Sequence, residues 1–264
     1  MPINFTLIDW LKTHYSLSGD AYNAVFIAFV ILCMVVPYLL GSLNFAVIIS
    51  KVFFHDDIRK YGSGNGGTTN MLRTFGKLPA AATMILDMSK GAVAVLFGAL
   101  LLGWGDLEPI RDEATNRVVG LTGTMAGSYL AGLFAVLGHM FPCFHKFKGG
   151  KGVATTLIVI LCVSWPTFLI IGPLFILLVL TTKMISFASV SCMAIFPFII
   201  SRVEPDKPEG FLISLLIGGL VIFMHRSNIK RIWNRTESKV SFKKTNKKPI
   251  DENTADASEQ PEEK

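Results

Sequence analysis

The chain has 264 residues, of which 51% are hydrophobic and only 17% charged, with a mean hydropathy of +0.51 and a formal net charge of +6. That profile excludes an ordinary soluble domain and points to an all-α polytopic membrane protein. No soluble basic domain carries the positive charge, so nucleic acid is a poor fit and anionic lipid or an anionic substrate a better one.

Residues 1–22 form an amino-terminal extension with no positively charged leader before an apolar core. Ile3, Leu7, Ile8, Trp10 and Leu11 suit a short helix lying on the outer membrane interface. The first apolar run covers 23–50, long enough to cross a bilayer.

Next comes "RKYGSGNGGTTNMLRTFGK", residues 59–77. Gly62, Gly64, Gly66 and Gly67 allow successive backbone N–H groups to turn inward as an anion-holding nest. Ser63, Asn65, Thr68, Thr69 and Asn70 add neutral hydrogen-bonding groups. A helix over 68–76 puts Asn70 and Arg73 on one face near its positive end, which suits a phosphate. Just upstream, His55, Asp56 and Asp57 read as a solvated loop rather than metal ligands.

The second apolar run, 78–104, contains "LDMSKG", with Asp87 and Lys90 sharing a helix face. Charge at that depth is expensive. It leaves two readings open, a structural ion pair and a wall of the site. The third run, 119–141, leads into "GHMFPCFHKFKGGKGVATT". There Gly149, Gly150 and Gly152 flank Lys148 and Lys151 just before a helix begins at Val153. The spacing is not that of a Walker A loop, because Gly152 follows Lys151 and His145 stands where the first glycine is needed.

The fourth and fifth runs, 153–165 and 166–182, are divided by "SWP", where Pro166 favours a break. A single kinked element is the alternative. The sixth run, 186–201, opens with Ser186 and Ser189 one turn apart. The seventh, 209–224, ends in "HRSNIKR", where His225 and Asn228 repeat that spacing. From residue 236 to 264 the chain is a polar tail, largely disordered by composition. Three regions result: the extension (1–22), a seven-helix domain (23–235) and the tail (236–264).

Seven spans with the amino terminus outside put Lys51, Arg59, Lys60, Arg73, Lys77, Lys146, Lys148, Lys151, Lys183 and the cluster from Arg226 to Lys248 in the cytoplasm. Only Lys12, Arg111, Arg117, Arg202 and Lys207 remain outside, as the positive-inside rule requires. The four cysteines lack paired spacing and read as small hydrophobes. On residues alone, two glycine-rich basic loops and two polar helix ends on one membrane face make a site for ligands with more than one phosphate. A membrane transporter for phosphorylated metabolites is the competing reading, although neither a midplane site nor an inverted repeat is visible.

Six stretches add a resemblance: "GSLNFAVIISK", "DIRKYGSGNGGTTNMLRTFGK", "LDMSKG", "GHMFPCFHKFKGGKGVAT", "SFASV" and "HRSNIKR...TE". In order and spacing they are similar to the bacterial membrane acyl-phosphate:glycerol-3-phosphate acyltransferases, over about residues 24 to 240. The resemblance implies a multi-pass enzyme of the bacterial cell (inner) membrane with a cytoplasmic active site. It implies transfer of an acyl group from acyl phosphate to the sn-1 hydroxyl of sn-glycerol 3-phosphate, giving lysophosphatidate and phosphate. It implies catalytic roles for Ser63, Arg73, Lys151, His225 and Asn228. Gly62, Gly64, Asn65, Thr69, Asn70, Lys148, Gly149, Gly150 and Ser189 become substrate-binding positions. No cofactor or metal is implied; the partners are the two substrates, the bilayer and the enzyme that supplies acyl phosphate. Gly66 stands where the family has an aliphatic residue, Thr68 where it has alanine, Phe187 where it has leucine and Arg235 where it has glycine. The change at Gly66 is expected to loosen the first loop.

The chemistry agrees with the residues. An acyl phosphate already carries a good leaving group, and the chain has neither Ser-His-Asp spacing nor a plausible cysteine nucleophile. No histidine is followed five residues later by aspartate, the spacing of acyltransferases that use acyl-CoA or acyl carrier protein. The proton of the attacking hydroxyl can go to His225 or to a substrate phosphate; the sequence leaves both open.

Overall fold

The computed structural model describes residues 19–103 and 123–239. The expected interfacial helix at Ile3–Leu11, the outer residues Lys12, Arg111 and Arg117, and the tail beyond 239 lie outside the described residues. Every regular element within them is helical. In chain order they are α1 (Gly19–Gly41), α2 (Phe45–Phe54), a 3-10 turn (Ile58–Lys60), α3 (Thr68–Thr74), α4 (Lys77–Gly103) and α5 (Gly123–Met140). A second 3-10 turn (Cys143–His145) precedes α6 (Val153–Val163), α7 (Trp165–Thr182), α8 (Ile185–Val203), α9 (Pro208–Met224) and α10 (Arg226–Trp233).

Five stretches are long and apolar enough to cross a bilayer: Gly19–Phe54 taken with its break, Lys77–Gly103, Gly123–His145, Trp165–Thr182 and Ile185–Val203. α9 and α10, bent by 61°, make a sixth when taken together, and α6 is a shorter apolar helix. Apolar side chains face outward along these helices, with Leu78 81% and Leu180 70% exposed. Such a surface belongs in lipid.

The first apolar run is not one helix. It stops at Gly41 and restarts at Phe45, where the Asn44 side chain caps α2 by accepting from the Val47 N–H at 3.1 Å. Apolar continuity across 23–50 hides that break; the residues that make it are polar but isolated. The break between the fourth and fifth runs is as expected: α6 ends at Val163 and α7 opens at Trp165, with Pro166 in its first turn. The polar residues at this turn are buried, and Ser164 Oγ bonds Thr167 Oγ1 at 2.9 Å.

Close packing at the centre depends on small residues. α4 and α5 cross at Gly98 and Gly127, where a methyl group on either would strike the backbone of the other. The larger core lies among α5 to α9, around Met140, Ile160, Phe196 and Ile217. A smaller one joins α2, α3 and the start of α4 through Val47, Ile58, Met71 and Phe75. Between the two cores the loops gather at one end of the bundle.

Candidate active site

A cleft of about 220 Å³ opens at that end. Its polar wall carries Ser63, Asn65, Thr69, Asn70, Arg73, Gly150, Lys151, His225 and Asn228, all singled out from sequence. Its apolar wall is formed by Met84 and Met88 of α4, Val153 and Leu157 of α6, Phe175 of α7 and Ile185 of α8. Of the remaining sequence candidates, Gly62, Gly64, Lys148, Gly149 and Ser189 stand off the lining. Ser189 is fully buried and spends its hydroxyl on the Ile185 carbonyl at 2.8 Å. The serine of α8 that lines the cleft is Ser186, one turn earlier.

The first loop is held from within. Gly62 and Gly64 adopt φ of 58° and 69°, which folds the turn back on itself. Asn70, 2% exposed, sits inside that turn. Its Nδ2 reaches the carbonyls of Ile58 (3.1 Å), Tyr61 (2.8 Å) and Asn65 (3.1 Å), while Oδ1 accepts from the Ser63 N–H at 3.2 Å. The Gly64 and Gly67 N–H groups bond Tyr61 O and Asn65 O at 3.0 and 3.1 Å. The expected nest of inward N–H groups is therefore narrowed: those of Ser63, Gly64 and Gly67 are consumed by the loop itself. The loop also supplies lining residues to the cleft, Ser63, Asn65 and Thr69 among them. Gly66 does not loosen it either, since its carbonyl accepts from Asn44 Nδ2 at 3.3 Å and a methyl group there would stand 2.6 Å from that nitrogen.

Arg59 clasps this loop to the second one. Its guanidinium pairs with Asp57 at 2.7 Å and donates to the His145 carbonyl at 3.2 Å. Burial raises the Asp57 carboxyl, but the hydrogen bonds and charge of Arg59 outweigh it and hold the group below its usual range. The acidic run is thus committed to ion pairing. Among the described residues no three His, Cys, Asp or Glu side chains converge as metal ligands.

The second loop ends at Gly152, whose φ of 80° turns the chain into α6 as expected. Lys151 projects into the cleft and donates to Asn228 Oδ1. Asn228 in turn donates through Nδ2 to Glu237 Oε1 at 2.7 Å and to Ser186 Oγ at 2.8 Å. Glu237 also accepts from Ser186 at 2.5 Å and from Arg231 Nε at 2.8 Å. Burial raises this carboxyl, yet these three donors keep it below the usual range. Glu237 is 8% exposed, so the start of the tail packs against the helices. Sequence spacing offered no signal for that partnership beyond the final "TE".

The charge balance follows. Glu237 is answered by Arg231, whereas Arg73 forms no ion pair among the described residues and Lys151 meets only a neutral amide oxygen. Burial, then the nearby Arg231 and Arg73 charges, lower the Lys151 ammonium to about 8. Burial likewise lowers Arg73, far from any loss of charge at neutral pH. His225 lies just past the end of α9. Its Nδ1 is 2.7 Å from the Val221 carbonyl, so that nitrogen carries the proton and Nε2 keeps its lone pair. Burial brings its pKa down to about 4. The cleft therefore presents two cations, hydroxyl and amide groups, a neutral imidazole and an apolar wall. It is built for an anion with a hydrocarbon attached.

Comparison with known proteins agrees with that geometry. A family profile described as glycerol-3-phosphate acyltransferase matches residues 31–235. A glycerol-3-phosphate acyltransferase of Lactiplantibacillus plantarum is 40% identical over 216 residues, covering 81% of this chain and 93% of the relative. One from Bacillus cytotoxicus is 40% identical over 217 residues, covering 82% and 98%. Among solved structures, the glycerol 3-phosphate form of PlsY, an integral membrane glycerol 3-phosphate acyltransferase, superimposes with a TM-score of 0.68 at 29% identity, covering 80% of this chain and 96% of that one. Its lysophosphatidic acid form gives 0.65 at 28% identity, covering 81% and 96%.

Proposed function

The chain belongs to the glycerol-3-phosphate acyltransferase family, and from that premise we propose that it transfers an acyl group from acyl phosphate to the sn-1 hydroxyl of sn-glycerol 3-phosphate. Seven passes, counting α6 as a short one, with the amino terminus outside and the cleft on the cytoplasmic side of a bacterial membrane, complete the reading. One observation carries it: two cations without carboxylate partners, Arg73 and Lys151, line a cleft whose other wall is hydrocarbon.

The difficulty in this reaction is bringing two phosphate-bearing anions together. Arg73, with Ser63 and Thr69 beside it, holds one phosphate; Lys151, oriented by Asn228, holds the other. The sn-1 oxygen attacks the acyl carbonyl carbon, the bond from that carbon to the phosphate oxygen breaks, and inorganic phosphate leaves. No acyl-enzyme is needed, because the mixed anhydride is already activated. The attacking hydroxyl gives its proton to the leaving phosphate. His225, at about 4, is a weak base near neutrality; its Nε2 accepts from the sn-2 hydroxyl and holds the glycerol so that the sn-1 proton faces the phosphate.

The test mixes purified protein in detergent with labelled glycerol 3-phosphate and either acyl phosphate or acyl-CoA. Lysophosphatidate from acyl phosphate alone is expected. Equal product from acyl-CoA overturns the donor, and no product from either, with glycerol 3-phosphate moving into sealed vesicles, favours a transporter.

A further inference from the structure

At the floor of the cleft, where Asp87 and His139 are among the lining residues, lies a set of buried charges to which the reaction assigns no part. Asp87 and Lys90, one turn apart on α4, pair at 2.8 Å and are 1% and 5% exposed. A sealed ion pair returns less than its desolvation costs unless neighbours complete its hydrogen bonds. Here the neighbours are specific. Lys90 Nζ donates at 2.6 Å to the carbonyl of Leu43, in the break between α1 and α2. His139, in the last turn of α5 and 5% exposed, brings Nδ1 to 3.5 Å from Asp87 Oδ1.

The other edge of that imidazole faces Gly150. A methyl group at Gly150 would overlap His139 Nε2 and stand 3.0 Å from the Gly66 carbonyl. The Gly150 N–H donates to the His139 carbonyl at 3.1 Å. Gly66, for its part, is held by Asn44, the residue after Leu43. The contacts form a closed circuit. Lys90 fixes the break, the break fixes Gly66 of the first loop, Gly66 abuts Gly150 of the second, Gly150 rests on His139, and His139 returns to Asp87.

We propose that Asp87, Lys90 and His139 are positioning residues, which lock the two glycine loops edge to edge at Gly66 and Gly150 and so fix the spacing between the two phosphates. The inference rests on the reading of the cleft as a two-phosphate acyl-transfer site. A charged cluster suits the task because it can hold a helix-break carbonyl and an imidazole edge at once, which apolar side chains cannot. Each loop keeps its own ligands without the lock, so substrate affinity survives. Alignment between substrates does not, and small misplacements of reacting atoms cost about a hundredfold.

Purified His139→Ala is therefore expected to keep both KM values within about threefold and to lose at least about tenfold in kcat per folded molecule. A purely structural role would lower Tm and the folded fraction while leaving kcat per folded molecule intact, and that outcome overturns the proposal. Asp87→Asn keeps the side-chain volume and gives the same reading if His139→Ala does not fold. A double-mutant cycle adds an independent readout. Gly150→Ala alone should lose at least about tenfold, because its methyl meets the ring. Added to His139→Ala it should cost clearly less than it does alone, since the ring is gone and only the 3.0 Å approach to the Gly66 carbonyl remains; losses that fully multiply overturn the lock. Inactive wild-type protein overturns the functional reading, whereas active wild type beside an unchanged His139→Ala overturns this inference alone.

Discussion

Lys151 and Asn228, 77 residues apart, meet through the ammonium of one and the amide oxygen of the other. The amide nitrogen is committed to Glu237, so the orientation of Asn228 is set by the carboxylate behind it. Asn228 thus passes the fixed position of Glu237 forward to the cation in the cleft. Asn228→Asp removes the donor and sets a second carboxylate against Glu237, whereas Asn228→Ala only removes the bonds. A hydrogen bond to a charged group is worth about 1.5–3 kcal/mol. We expect at least about a tenfold loss in kcat/KM for Asn228→Ala and a larger one for Asn228→Asp. An aspartate variant as active as the alanine variant would show that the Glu237 contact does not set the amide.

In the proposed reaction the Lys151 ammonium, lowered by burial to about 8, must be charged to hold a phosphate. It is charged below that value and neutral above it, so kcat/KM should fall as pH rises through about 8. A bound phosphate favours the charged form, which moves the corresponding limb of kcat upward. Lys151→Arg should carry the alkaline limb beyond the measurable range, at reduced activity because a planar fork replaces a point charge. An alkaline limb unchanged in that variant assigns it to another group.

The acidic limb distinguishes the two proton acceptors. The phosphate of a mixed anhydride is more acidic than a phosphate monoester, whose second proton leaves near pH 6, while burial holds His225 at about 4. With that phosphate as base, the acidic limb of kcat/KM lies below about 6, and His225→Gln should retain it at lower rate. A limb near 4 that disappears in His225→Gln would make His225 the base.

Arg235 adopts a φ of 57° on an exposed turn, just before Glu237 re-enters the bundle. The left-handed region costs an ordinary side chain roughly 1 kcal/mol or more. Arg235→Gly should relieve that strain and keep Tm level or raise it by up to about 3 °C. A β-branched side chain tolerates this region least, so Arg235→Val should lower Tm. If the valine variant melts at or above wild type, the turn is not under strain.

Much of the fold is legible along the chain. Runs of apolar residues announce helices that need lipid, Pro166 marks the start of α7, and Gly152 marks the turn into α6. The six motifs name the segments that meet at the cleft, and Arg73, Lys151, His225 and Asn228 all line it. The break at residues 42–44 escapes because hydropathy averages over a few polar residues in a long apolar run, although Asn44 is a good helix cap. Helical spacing puts Ser186 and Ser189 on one face but cannot tell which lines the cleft, since both satisfy the same period.

Local composition, then, decided what could be decided by neighbours in sequence: which segments are helical, which turns are glycine-bent and where cations concentrate. Partnership between distant residues was decided by packing. Glu237 reaches Ser186 across 51 positions and Lys90 reaches Leu43 across 47. Asn70 turned out to close its own loop, because buried polar atoms bond to whatever the folded backbone brings within about 3 Å, and that meeting is a property of the whole bundle.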